Sequence, residues 1–329
     1  MAFEPIWLWI SFVAFILVML ALDLGVFHRH AHAVSLREAA IWSAVWIGLA
    51  LLFNAVLFLW QGTGVALEFF TAYLIEKSLS VDNIFVFVVI FSSFGVPAAY
   101  QHRVLFWGIL GALVMRGLLI ALGLTLLSLF EWVLYLFGAF LIFTGIRLAF
   151  RREQTVYPGS NPLVRLARRF LPVTQDYDRS RFFLRQYGRL MATPLLLVLL
   201  LIESTDLLFA LDSIPAVLAI TVDPFIVYTS NVFAILGLRA LYFLLAGSVQ
   251  RFRYLNIGLA AILAFVGAKM LLHDLVHVPI GFSLSGIAAI LLVTIAASLY
   301  GERRARQRGA EGDRQGPLQL QEKKEQAHV

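Results

Sequence analysis

The chain has 329 residues, of which 60% are hydrophobic, and its mean hydropathy is +0.85. A soluble domain has no core large enough to hide that much apolar surface, whereas a polytopic membrane protein needs it. The formal charge of +6 does not require nucleic acid, because the basic residues flank the apolar runs. The absence of cysteine excludes disulfides, thiolate metal sites and redox chemistry at sulfur.

Met1 to Ile6 lack the basic segment of a signal peptide, and no small-residue cleavage site follows, so the first apolar run is expected to stay as a span. Runs long enough to cross ~30 Å of hydrocarbon, ~20 residues each, lie near 6–27, 41–60, 66–93, 103–125 and 129–150. Four more lie near 194–220, 226–248, 254–272 and 280–299. They predict an all-α polytopic membrane protein with about nine transmembrane helices.

Basic residues alternate sharply between the loops. One side carries Arg29, Arg37, Arg103, nine arginines between 151 and 193, Arg251, Arg253 and seven Lys or Arg in the tail. The opposite loops, near 61–65, 126–128, 221–225 and 273–279, carry none. This bias predicts the N-terminus outside and the C-terminus in the cytoplasm. The chain then divides into spans one to five (1–150), a basic cytoplasmic loop (151–193), spans six to nine (194–300) and a tail (301–329) expected to be disordered. In the loop, Leu163, Leu166 and Phe170 recur at helical spacing among Arg165, Arg168 and Arg169. That pattern fits a short helix on the inner leaflet or a solvated connector equally well.

The most informative residues are acids inside the third and sixth runs. Glu76-Lys77-Ser78-Leu79-Ser80-Val81-Asp82-Asn83-Ile84 and Asp206-Leu207-Leu208-Phe209-Ala210-Leu211-Asp212-Ser213-Ile214 share one pattern, with Glu203 ahead of the second. Each reads acid, five residues, Asp, small polar residue, Ile. Further matches follow in order: Ile109-Leu110-Gly111 to Arg116 with Ile235-Leu236-Gly237 to Arg239, then Phe143 to Leu148 with Phe265 to Met270. Arg116 precedes Arg147 by 31 residues, and Arg239 precedes Lys269 by 30. Spans three to five and six to eight therefore read as two copies of one unit. In the topology above the copies have opposite orientation, an inverted 3+3 repeat of the kind found in secondary transporters.

Ionisable groups at mid-membrane depth cost at least ~2.5–3.5 kcal/mol each and mark ion pathways. Glu76, Asp82, Glu203, Asp206 and Asp212 outnumber Lys77, Arg116 and Arg239. Protons or a bound cation must relieve the surplus. Carboxylates with Asn83 and the hydroxyls of Ser78, Ser80, Ser204, Thr205 and Ser213 are hard oxygen donors, suited to Mn²⁺, Mg²⁺ or Ca²⁺. Neither motif contains His or Cys, which argues against Zn²⁺, Cu⁺ or Ni²⁺. Residues six apart point roughly 120° apart on a helix, so a site using both acids of a motif needs a broken helix or a wide cavity. Pro215 predicts a kink beside Asp212. Structural pairing of these acids with Arg116 and Arg239 is the competing account, and the two arginines read as ion-pair or gating residues. Asp23 either lines an exit or caps the first span. His28, His30 and His32, and His273 with His277, are further candidate metal contacts or plain interfacial residues.

These strings resemble the TerC family of bacterial membrane proteins, named for tellurium resistance. The likeness runs from about residue 5 to 300. Asp23-Leu24-Gly25-Val26-Phe27-His28-Arg29, Glu76 to Asn83, Glu203 to Ala216 and Thr229 to Arg239 carry it. The resemblance implies export of Mn²⁺ or a related divalent cation across the bacterial inner membrane, with Glu76, Asp82, Glu203, Asp206 and Asp212 as functional acids. A tellurite anion would be repelled by such a site.

The expectation is a secondary transporter, not an enzyme, with no prosthetic group. Mn²⁺ would be held by the motif carboxylates, Asn83 and Ser213, possible exchange with protons would supply coupling, and the partners would be lipid and divalent cations rather than nucleic acid. The alternative is a non-transporting scaffold in a stress-response or secretion-linked complex. An intramembrane aspartyl protease would need a Gly-x-Gly-Asp signature, which is absent.

Overall fold

The computed structural model describes residues 6–25, 35–150, 172–246 and 255–298, apart from 175–176, 178–179, 187–188 and 277, with isolated positions 165, 169 and 300. The side chains of residues 22–25 are outside that description, as are His28, His30, His32, His277, the basic segment around 161–170 (isolated positions aside) and the tail.

Each expected apolar run is helical. In chain order they are α1 (Ile6–Gly25), α2 (Leu36–Gln61), α3 (Thr63–Ser93), α4 (Ala98–Leu129) and α5 (Val133–Ala149). A short hairpin follows, β1 (Phe183–Gln186) and β2 (Arg189–Ala192), in antiparallel register with Phe183 opposite Ala192. Then come α6 (Pro194–Leu218), α7 (Pro224–Leu236), α8 (Leu238–Leu245), α9 (Leu255–Leu271) and α10 (Ile280–Ser298). By length and composition, α2, α4, α6, the joined pair α7–α8 and α10 can each cross a membrane. The helices α1, α5 and α9 are apolar but shorter by that measure. Helix α3 carries Glu68, Glu76, Lys77 and Asp82.

Local chemistry sets several helix ends. Ser35 caps α2 by accepting from Glu38 N at 3.2 Å, and Asp223 caps α7 by accepting from the amides of Phe225 (2.8 Å) and Ile226 (3.1 Å). Pro194 and Pro224 open α6 and α7, where a missing amide hydrogen costs nothing. Gly62 (φ 88°) turns α2 into α3 and Gly95 (φ 61°) turns α3 into α4, both in the left-handed region that favours glycine.

The backbone departs from unbroken spans and plain loops at two places, Gly237 and residues 183–192. Helix α6 stays helical through Pro215, which lies in its last turn and so removes one hydrogen bond close to the end. The interruption falls at Gly237, between α7 and α8. The hairpin is a further difference: residues 183–192 lie in the segment 151–193, expected to be a basic cytoplasmic loop. Phe182 packs against the helices and Leu184 is half-buried, while Arg181, Phe183 and Arg185 are exposed, a two-residue period hidden among arginines.

Packing places α3, α4, α6 and α7 at the centre. Phe87 and Ile90 of α3 share a core with Leu195, Val198 and Leu201 of α6, while Ala72 of α3 shares another with Ala210, Ile214 and Val217. These two helices therefore run in opposite directions. Helices α4 and α6 run the same way, with Gly108 against Ile202 and Gly123 against Leu218. Helices α5 and α9 are antiparallel and close enough for backbone contact, Gly138 meeting Gly267 and Gly145 meeting Ala260. The periphery carries large exposed apolar side chains such as Leu118, Leu129, Leu59 and Leu292. A belt of that kind suits lipid rather than water.

Candidate functional site

The central polar cluster is organised around a guanidinium. Arg116, on α4, is 2% exposed and is the largest fully buried side chain among the described residues. Its Nε and Nη2 donate to the two carboxylate oxygens of Asp206 on α6, at 3.2 and 3.1 Å. Its Nη1 donates to Glu76 Oε1 on α3, to Ser213 Oγ on α6 (3.2 Å) and to Asn231 Oδ1 on α7 (3.2 Å). Asn83 on α3 closes the ring by donating from Nδ2 to Asp206 Oδ1 at 3.5 Å. The planar fork of arginine suits two acids at once, which a lysine could not match.

The helical period explains which motif residues converge. Glu76 and Asn83 are seven apart, as are Asp206 and Ser213, so each pair shares one face. All four are buried. Asp82 and Asp212, six from the first acid, are turned roughly 120° around the helix, and both are half-buried. The site at Arg116 is thus built from the first acid and the small polar residue of each copy.

Glu203 lies one turn before Asp206, with its carboxylate pressed onto Gly111 of α4; any side chain on Gly111 would collide with it. Its Oε2 is buried and has no hydrogen-bond partner among the described residues, and the same holds for Glu76 Oε2. Arg239, on α8, is buried and lines a cavity of about 10 Å³ together with Asp206, Phe87 and Ile202. That volume holds about one water molecule. Asp23 lies on α1, but its side chain is outside the described residues. Among the described residues, no three His, Asp or Glu side chains are arranged to hold a metal ion.

Asn231 was not singled out as a site residue from the sequence. A run of Thr229, Ser230 and Asn231 inside an apolar span was the available signal, and all three are buried. Lys77 does not join the ring; its Nζ donates to the Ala234 carbonyl at 3.4 Å. A larger cavity, about 680 Å³, opens beyond the ends of α3 and α6. Glu68, Glu131, Tyr135, Lys269, His273 and Asp274 contribute its polar lining, and Tyr135 donates to Asp274.

The integral membrane protein TerC family matches residues 61–307, which include every residue of the central ring. The chain belongs to the TerC family. Among curated relatives, a Myxococcus xanthus protein called "uncharacterized membrane protein STKORF319" is 56% identical over 298 residues, covering 91% of this chain and 93% of that one. A protein of Escherichia coli K12 called "putative membrane-bound redox modulator Alx" is 51% identical over 313 residues, covering 92% of this chain and 97% of that one. A Rickettsia bellii protein called "uncharacterized membrane protein" is 41% identical over 291 residues, covering 88% and 96%. No solved structure matches the chain. As a TerC-family member it is an integral membrane protein whose apolar helices surround the charged ring.

Proposed function

We propose that this TerC-family protein is a secondary transporter that exports a hard divalent cation, Mn²⁺ first among candidates, through the central ring of carboxylates. The observation that carries this is the convergence of Glu76 and Asp206, equivalent acids of the two motif copies, on one cation from helices running in opposite directions. Ser213 and Asn231 complete a set of oxygen acceptors of the kind Mn²⁺, Mg²⁺ and Ca²⁺ prefer. Asp82, Asp212 and Glu203 extend that set along α3 and α6. Proton exchange on the same acids would relieve their repulsion when no metal is bound.

The carrier reading includes nine spans, an inverted repeat of α3–α5 with α6–α9, and an inner-membrane location with the N-terminus outside. Packing supports the repeat. Helix α4 lies on α6 as α3 lies on α7, and α5 touches α6 as α9 touches α3. With Gly145 matched to Gly267, the contact of Gly138 with Gly267 corresponds to that of Ala260 with Gly145. The antiparallel pairs α3–α6 and α5–α9, and the parallel pair α4–α6, have the directions that nine alternating spans require. The 680 Å³ cavity would then be the outward vestibule, where three carboxylates attract cations.

A redox role, as in the printed name of the Alx relatives, would have to avoid thiols, since the chain has no cysteine. The deciding experiment is uptake by purified protein in liposomes, comparing Mn²⁺, Mg²⁺, Ca²⁺ and Zn²⁺ with and without a pH gradient. Saturable Mn²⁺ movement that Asp82→Ala and Asp212→Ala abolish is expected. Failure of the wild type to move any of the four ions overturns the exporter and favours a scaffold.

A further inference from the structure

We infer that Arg116 is a tethered cation that keeps the central site closed when no metal is present, so that its guanidinium and the transported ion compete for Glu76 and Asp206. This rests on the exporter reading above and assigns the competitor within it.

Three observations carry the inference. First, five oxygens from α3, α6 and α7 converge on the guanidinium: Glu76 Oε1, both carboxylate oxygens of Asp206, Ser213 Oγ and Asn231 Oδ1. Hard divalent cations take about six to eight such oxygens, so the side chain sits where an ion would find its ligands. Second, the occupant does not saturate its surroundings. Glu76 Oε2 is buried without a hydrogen-bond partner among the described residues, and two carboxylates pair with the single guanidinium of Arg116. A divalent ion would balance both acids. Third, the cavity beside Asp206 has only about 10 Å³, room for about one water molecule. A hydrated ion does not fit there, and an ion that uses the same five oxygens must take the place of the guanidinium.

A displaced guanidinium has somewhere to go. Glu203 is one turn from Asp206 on α6 and packs on Gly111, in the same helix as Arg116. Its buried Oε2 accepts no hydrogen bond among the described residues. In an exporter the empty carrier must reset across the bilayer, and uncompensated buried acids make that step costly. With Arg116 back on Glu76 and Asp206, one of the two negative charges of the empty site is offset from within.

The test uses the full-length protein in detergent, titrated with Mn²⁺ and read by the loss of the free-ion electron paramagnetic resonance signal. Arg116→Gln should bind Mn²⁺ at least tenfold tighter than wild type, because the competitor is gone. A purely structural arginine predicts the reverse, so unchanged or weaker binding overturns the proposal. If Arg116→Gln does not fold, Arg116→Lys serves: one ammonium cannot fork across both acids, and severalfold tighter binding is expected. Equal or weaker binding by Arg116→Lys overturns it as well. In liposomes, Arg116→Gln should keep Mn²⁺/Mn²⁺ exchange while losing net transport; net transport at the wild-type rate overturns the resetting role. A wild type that moves no Mn²⁺, beside a variant that binds it tenfold tighter, removes the exporter reading and leaves the competition standing. Absence of Mn²⁺ binding in both proteins removes both.

Discussion

The ammonium of Lys77 fills the space that a side chain on Gly237 would need: a Cβ there would lie 2.6 Å from Nζ and 3.3 Å from Trp46 Cβ. Gly237 is where α7 gives way to α8, and the carbonyl that Lys77 contacts, Ala234, belongs to the last turn of α7. A cation is favourably placed against the partial negative charge of a helix C-terminus. Gly237→Ala must push the ammonium aside, and Gly237→Leu must also move Trp46. The expected order of thermal stability in detergent is wild type, then Gly237→Ala, then Gly237→Leu. Identical melting temperatures for all three would contradict the confinement of Lys77.

The α5–α9 seam predicts a second set of variants. A Cβ on Gly267 would lie 2.6 Å from the Gly138 carbonyl oxygen, and backbone cannot swing away as a side chain can. Gly267→Ala should therefore cost about 1–3 kcal/mol through forced separation of the helices. Gly48→Ala is the control, because nothing lies within 4 Å of that position. Chemical denaturation monitored by tryptophan fluorescence compares the two. A control as damaging as Gly267→Ala would count against the seam.

The motif acids should separate in stability while agreeing in transport. Asp206 is 3% exposed and paired with Arg116, so Asp206→Ala removes the two charge-assisted hydrogen bonds it accepts from that buried guanidinium, at about 1.5–3 kcal/mol for each. Asp82 and Asp212 are half-buried, so Asp82→Ala and Asp212→Ala should melt closer to wild type. All three variants should fail to lower cellular Mn²⁺. Equal destabilisation by all three would argue against the division between the ring and the flanking acids.

Ahead of the hairpin, Tyr177 is held to the helices by its hydroxyl, which donates to the Phe94 carbonyl at the end of α3 at 2.8 Å. Burial pushes this phenol above its ordinary value near 10. The folded state thus favours the protonated form, and that contribution is complete below the ordinary value. It is lost as pH rises from there through the folded value. Tyr177→Phe should cost about 1 kcal/mol at neutral pH, and the gap between the two proteins should shrink in strong alkali. Limited trypsin cleavage across a pH series checks this. A gap that widens with pH would contradict the donor role.

Much of this architecture was legible in the chain. Apolar run length located each of the long apolar helices among the described residues, because a span must satisfy its own backbone in lipid. The repeated acids pointed to the centre, although the eye follows Glu76 to Asp82 while the helix aligns Glu76 with Asn83. The meeting of Glu76, Asp206, Ser213 and Asn231 on Arg116 was not legible, since it depends on how α3, α4, α6 and α7 pack. The break at Gly237 was hidden because glycine yields there to a distant lysine, whereas Pro215 drew attention in a turn that could absorb it. The hairpin escaped because its alternation is short and crowded by arginines.

In the 18-residue apolar stretch within Pro224–Leu245, 89% is buried, and this is the least apolar of the five helices long enough to cross a membrane. It gains almost nothing from lipid contact, and its Thr229, Ser230 and Asn231 would be poorly tolerated beside acyl chains. Its settled place in the bilayer is therefore conferred by α2, α3 and α4 closing around it. During biogenesis this segment becomes a stable part of the bundle only after its neighbours have assembled.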